Sequence, residues 1–129
     1  MAASTSPTLG AAVARSAFAA FAAFDIVVVP FPFTDREATK RRPALVVSHA
    51  AFNQPSAHSV LAMITSAEQF PWAGDCPIQD LASAGLTTGC LIRLKLFTLD
   101  HRLIIRKAGV LAANDQKKLR VAWKGLLAV

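Results

Sequence analysis

Arg36, Lys40, Arg41 and Arg42 crowd a stretch in which Glu37 is the only carboxylate. Planar guanidinium forks bind phosphate oxygens in two-pronged fashion and stay protonated at any working pH, so the cluster points to an oxyanion. Arg42 stands directly before Pro43, whose ring fixes its own φ and confines the residue ahead of it. It is therefore the cation with the most restricted backbone and the best electrostatic candidate. Thr65 closes a later apolar run in Ile64-Thr65-Ser66, where a hydroxyl can meet a phosphate at a sheet rim. Phosphodiester chemistry at a ribose needs such donors, with proton transfer at the 2′-hydroxyl and the leaving oxygen. Each feature also has an ordinary reading, as a solvated basic loop and as a strand-end threonine.

Other chemistries find less support. His49, His58 and His101 lie in three separate connections, none paired with a Cys or carboxylate at metal-ligand spacing, so neither a metal nor a cofactor is expected. His49, nearest in sequence to Arg42, is the candidate for a proton shuttle. Asp25, Asp35, Glu37, Asp75 and Asp80 form no acid/base pair, and neither Cys76 nor Cys90 sits in a nucleophile motif. Phe70 and Trp72, flanking Pro71, are candidates for base stacking or for loop packing.

The elements that must position these residues are short strands. Ile26–Val29 and Ala44–Val47 are β-branched runs on either side of the basic loop, punctuated by Pro30, Pro32 and Pro43. Val60–Thr65 reads as a third buried strand after the turn-prone Asn53-Gln54-Pro55-Ser56, and Asp75–Gln79 as a weaker candidate. Gly85 and Gly89 flank Thr87 and Thr88 in a turn before Cys90–Leu96, a strand carrying Arg93 and Lys95. Asp100–Leu103 reads as a turn, Ile104–Val110 as the last strand, and Asn114 as N-cap of a helix with Leu119, Ala122, Trp123, Leu126 and Leu127 on one face. Connections too short for crossover helices predict a small, curled, mainly antiparallel sheet or partly open barrel of five to seven strands with a C-terminal helix.

Length and composition are consistent with this. The 129 residues make one domain, and 53% hydrophobic content without a run of about 20 apolar residues excludes a membrane span. A formal charge of +6 indicates an anionic partner. Over residues 25–110, nine Lys and Arg stand against seven Asp and Glu, so the body is nearly balanced and its excess lies in the basic loop. The two widely spaced cysteines suggest free thiols and a cytoplasmic setting. Residues 1–23, Ala-rich, read as an appended extension, poorly ordered or partly helical, before a domain over 24–129.

FDIVVVPFPFTD, KRRPALVVS, the strand ending Ile64-Thr65-Ser66, and LIRLKLFTLD follow one another in an order that resembles the PemK/MazF family of toxins from bacterial type II toxin–antitoxin pairs. The resemblance covers residues 24 to about 127. It implies an SH3-like or CcdB-like barrel, a homodimer, a cognate acidic antitoxin, and metal-independent, sequence-selective cleavage of single-stranded RNA. In that chemistry the 2′-hydroxyl attacks the adjacent phosphate, leaving a cyclic phosphate and a 5′-hydroxyl. By position Arg42 and Thr65 correspond to the family's catalytic pair. Arg36, Lys40, Arg41, Ser66 and Arg93 are then candidate RNA contacts, Arg93 with its offset from the Thr87-Thr88-Gly89 turn changed by one position. Two other functions remain open on the same scaffold: a non-catalytic binder, gyrase-poison-like or antitoxin-binding only, and a plain barrel for binding RNA or DNA.

Overall fold

The computed structural model describes residues 21–32, 40–68 and 70–129. Most of the Ala-rich extension and Arg36 lie outside the described residues. Strands β1 (Asp25–Phe31), β2 (Lys40–Val46), β3 (His58–Ser66), β4 (Cys76–Pro77), β5 (Cys90–Asp100) and β6 (Arg106–Val110) form one sheet in the order β4-β5-β3-β2-β1-β6. The neighbouring strands pair antiparallel, and the sheet curls into a half-barrel. Helices α1 (Ala50–Ser56), α2 (Leu81–Ala84) and α3 (Ala113–Trp123) and a 3₁₀ turn at His101–Leu103 complete the described fold.

Both faces of the sheet are buried, which explains why its central strands read as continuous apolar runs. Ile26, Leu45, Ala62, Ile64 and Ile92 face Leu111 and Leu119 at the C-terminal helix. Their sequence neighbours Val27, Val29, Ala44, Val46 and Leu61 point the other way, toward Leu99 and Ile104. Two-residue alternation thus divides one set of strands between two cores.

Three local readings are corrected. Asn53–Ser56 belongs to α1: Asn53 is buried, and its amide nitrogen donates to Ser48 O at 3.0 Å and Phe21 O at 3.3 Å, so tertiary bonds hold a helix where Asn and Pro favour a turn. Helix α3 begins after Ala112, not at Asn114, and its buried Asp115 accepts from Gln79 N at 3.1 Å and Asp80 N at 2.9 Å. Strand β5 continues past Leu96 to Asp100 because β3 pairs with it as far as His58↔Asp100.

The curl is fixed where α2 meets the β6 edge. Ser83 Oγ donates to Val110 O at 2.9 Å, and Gly85, at φ 73°, and Gly109 let the two backbones touch. A Cβ on Gly109 would run into Ser83 O and lie 2.6 Å from Ala84 C. Gly109→Ala is expected to cost about 1–3 kcal/mol of stability in a denaturant titration, because backbone has to move.

At the far end of β3, buried His101 places Nε2 2.7 Å from Ser59 Oγ. Burial first, then the His58 charge, holds its imidazole below the usual 6.5, while hydrogen bonds from Arg102 hold the Asp100 carboxyl down at about 2. A depressed His pKa means that the unfolded chain takes up a proton below 6.5 while the folded chain resists it. Stability is then full above that value and falls below it, with the Asp100 contribution lost only as pH drops from 3.8 toward 2. Thermal melts should show Tm falling between about pH 6.5 and about pH 5, before the carboxylates titrate. A flat profile there would contradict the burial assigned to His101.

Candidate active-site cleft

Register brings the two best candidate residues together. At the end of β2, Val47 N, just past the strand, donates to Val60 O at 2.9 Å and Val46 O accepts from Phe24 N at 2.8 Å, so odd-numbered residues aim their backbone groups at β3 and even-numbered ones at β1. Pro43 occupies an odd position and has no hydrogen to give. The β2–β3 ladder accordingly ends at Ala44↔Met63. Beyond it β2 stays with β1 through Val28↔Pro43 and Val29↔Arg42, whereas the end of β3 follows β5 through Ile64↔Ile92 and Thr65↔Leu91. The strands part, and a cleft of about 430 Å³ opens between them.

Counting on from the last pair sets Arg42 opposite Thr65, both on the face that carries Ala44 and Leu61. Arg42 and Thr65 line the cleft, with Lys40, Arg41 and Ser66 beside them. The Arg42 guanidinium carbon lies 4.6 Å from the centre of the Phe31 ring. Stacking holds the plane of the fork while leaving its edge available. Arg42 Nε is buried and has no hydrogen-bond partner among the described residues. A buried donor costs about 1–3 kcal/mol when unsatisfied, so this Nε has a strong demand for an oxygen acceptor. Thr65 is half-buried and its hydroxyl bonds to no other described residue, while Ser66 Oγ accepts from Glu68 N at 3.3 Å.

Other candidates lie elsewhere. Arg93 is not among the residues that line the cleft: its Nε and Nη2 each donate to an Asp75 oxygen at 3.0 Å and Nη2 donates to Phe70 O at 2.6 Å. The Asp75 hydrogen bond raises its pKa and commits the charge to holding the loop from Phe70 to Asp75. Trp72 joins that loop, with its indole donating to Leu94 O at 3.2 Å and lying under Arg93 and Lys95, which favours the packing alternative; Phe70 is 89% exposed. His49 lies just before α1, beyond the opposite end of β2 from Arg42.

The second wall was not foreseen from the sequence. Gly85, Leu86, Thr87, Thr88 and Cys90, running from α2 into β5, face the basic wall. Two threonines between glycines read simply as a turn, and only the curl of the sheet turns them toward Arg42. The described lining is therefore cationic on one side and neutral with hydroxyls on the other, an arrangement that can hold a phosphate and a neighbouring sugar or base.

The profile of the PemK-like, MazF-like toxins of type II toxin–antitoxin systems matches residues 22–125. Among solved structures, a MazE–MazF complex from Deinococcus radiodurans is similar at 22% identity and TM-score 0.65, over 84% of this chain and 97% of that one. An endoribonuclease in complex with its cognate antitoxin from a mycobacterial species gives 17% identity and TM-score 0.64, over 83% and 95%. The Mycobacterium tuberculosis toxin MazF-mt6 gives 21% identity and TM-score 0.58, over 76% and 90%. A search of curated protein sequences finds no match. With four-fifths of its length matched by the family profile and the same half-barrel as these relatives, the chain belongs to the PemK-like, MazF-like toxins of type II toxin–antitoxin systems.

Proposed function

We propose that this toxin is an endoribonuclease that cuts single-stranded RNA at preferred sequences, without a metal, by attack of a 2′-hydroxyl on the adjacent phosphorus. The observation that carries the reading is the Arg42–Thr65 juxtaposition in the cleft, with the buried Nε of Arg42 available to a phosphate oxygen. As the 2′-oxygen bonds to phosphorus, negative charge grows on the non-bridging oxygens. Arg42 meets that charge with its fork and Thr65 donates its hydroxyl to a phosphate oxygen. The 2′-hydroxyl gives up its proton to solvent, the bond from phosphorus to the 5′-oxygen breaks and that oxygen takes up a proton, leaving a 2′,3′-cyclic phosphate on one fragment and a 5′-hydroxyl on the other. Lys40 and Arg41, both exposed beside the cleft, hold flanking phosphates, and Ser66 offers a further hydroxyl.

Two protein partners suit two separate surfaces. A cognate antitoxin with an acidic segment suits the cationic wall, as the complexes formed by the structural relatives with their antitoxins suggest. A second copy of the chain suits the exposed Leu96, Val121, Leu126 and Leu127. The free thiols of Cys76 and Cys90 fit a cytoplasmic setting.

A long single-stranded RNA incubated with the protein in EDTA should yield discrete fragments with cyclic-phosphate ends. Arg42→Ala should lower the rate by about 100-fold or more. Arg42→Lys should recover little, because an ammonium cannot reproduce the fork. Cleavage by Arg42→Ala at the wild-type rate would overturn the assignment, and no cleavage by the wild type would leave the non-catalytic binder as the reading.

A further inference from the structure

We infer that Thr87 and Thr88 read the base beside the scissile phosphate, and so determine which sequences are cut. The inference rests on the RNA cleavage proposed above and deepens it. The cleft divides by chemistry: Lys40, Arg41 and Arg42 occupy one wall and the Thr87–Thr88 turn the other. Phosphate is served by the charged wall. The neutral wall has no charge to offer a phosphate, but a hydroxyl both donates and accepts, which is what the mixed edge of a base presents.

Two observations single out these hydroxyls. Both threonines are exposed to the cleft, and neither hydroxyl bonds to another described residue. The turn that carries them is also anchored at both ends. Gly85, at φ 73°, packs its Cα against the Ala108 carbonyl, and Leu86 N donates to Leu81 O at 2.9 Å. On the other side Ala67 N donates to Gly89 O at 3.3 Å, Cys90 Sγ donates to Thr88 O at 3.1 Å and Ile78 N donates to Cys90 O at 3.1 Å. Ala67 directly follows Ser66, so the wall is fixed relative to the end of β3 that carries Thr65. Branching at Cβ limits the rotamers of each threonine, so a held backbone gives a held hydroxyl. Fixed, uncommitted hydrogen-bonding groups a short way from a phosphate site are the requirement for discriminating bases.

The test maps fragment ends from one mixed RNA pool for the wild type, Thr87→Val, Thr88→Val, the double variant and the corresponding Thr→Ser variants. Valine keeps shape and branching and removes only the hydroxyl; serine keeps the hydroxyl. In the valine variants, cleavage at the sites preferred by the wild type should fall roughly three- to tenfold relative to other sites, with serine retaining the preference. An unchanged ranking of sites in every variant would overturn the inference while leaving the nuclease reading intact. So would an equal fall at all sites with an unchanged melt, since that would make the threonines part of the general machinery. Absence of cleavage by the wild type would overturn both.

Discussion

A single missing hydrogen shapes the working end of this molecule. Pro43 stands where a β2 residue should donate across to β3, and its ring nitrogen cannot. The local loss is modest, since one ladder bond contributes about 0.5–1.5 kcal/mol. It is nevertheless decisive because the other edge of β3 is already held by β5. Strand β3 pairs with β5 along its length, from His58↔Asp100 to Ser66↔Cys90 with a register shift between Ala62 and Ile64, so its end stays with β5 where it parts from β2. The sheet opens along the line between Arg42 and Thr65 instead of at a random weak point. Both side chains keep the common face that strand alternation gives them, so the opening becomes a cleft with a cation on one lip and a hydroxyl on the other.

Charge distribution reinforces the division. A net +6 looks modest when spread over the chain, but several of the described carboxylates are engaged by partners away from the cleft. Asp25 pairs with Lys107 at 3.2 Å, Asp75 with Arg93 at 3.0 Å and Asp100 with Arg102 at 2.7 Å. Asp115 is consumed by two backbone amides. Lys40, Arg41 and Arg42 form no ion pair with a described residue, and all three line the cleft where the sheet parts. Exposed pairs such as Asp100–Arg102 add little stability in water. Their larger effect is to neutralise cations away from the cleft, whereas the cations that line it have no carboxylate partner among the described residues.

Much of this was legible in the sequence, and for identifiable reasons. Buried strands announce themselves as β-branched runs, and Arg42-Pro43 couples a charge to a backbone restriction in two adjacent letters. Thr65 could be placed because it ends such a run. Interactions across long separations were hidden. Asn53 makes a helix out of a turn sequence through bonds to Ser48 and Phe21, and Asp115 outcompetes Asn114 because Gln79 and Asp80 approach it. Arg93 carries the same charge as Arg42, but Asp75, 18 residues earlier, commits it to a loop. The Thr87–Thr88 wall depended on the curl of the whole sheet, which Gly85 and Gly109 permit.

The central claim is that Arg42 and Thr65 act on one phosphate across this opening. A double-mutant cycle on kcat/KM for RNA cleavage, with Arg42→Lys, Thr65→Val and the double variant, measures it directly. The two losses should be non-additive, with a coupling of about 0.5–3 kcal/mol, as expected for groups that share a ligand atom or its neighbour. Strict additivity, with each substitution acting as though the other residue were absent, would contradict the account.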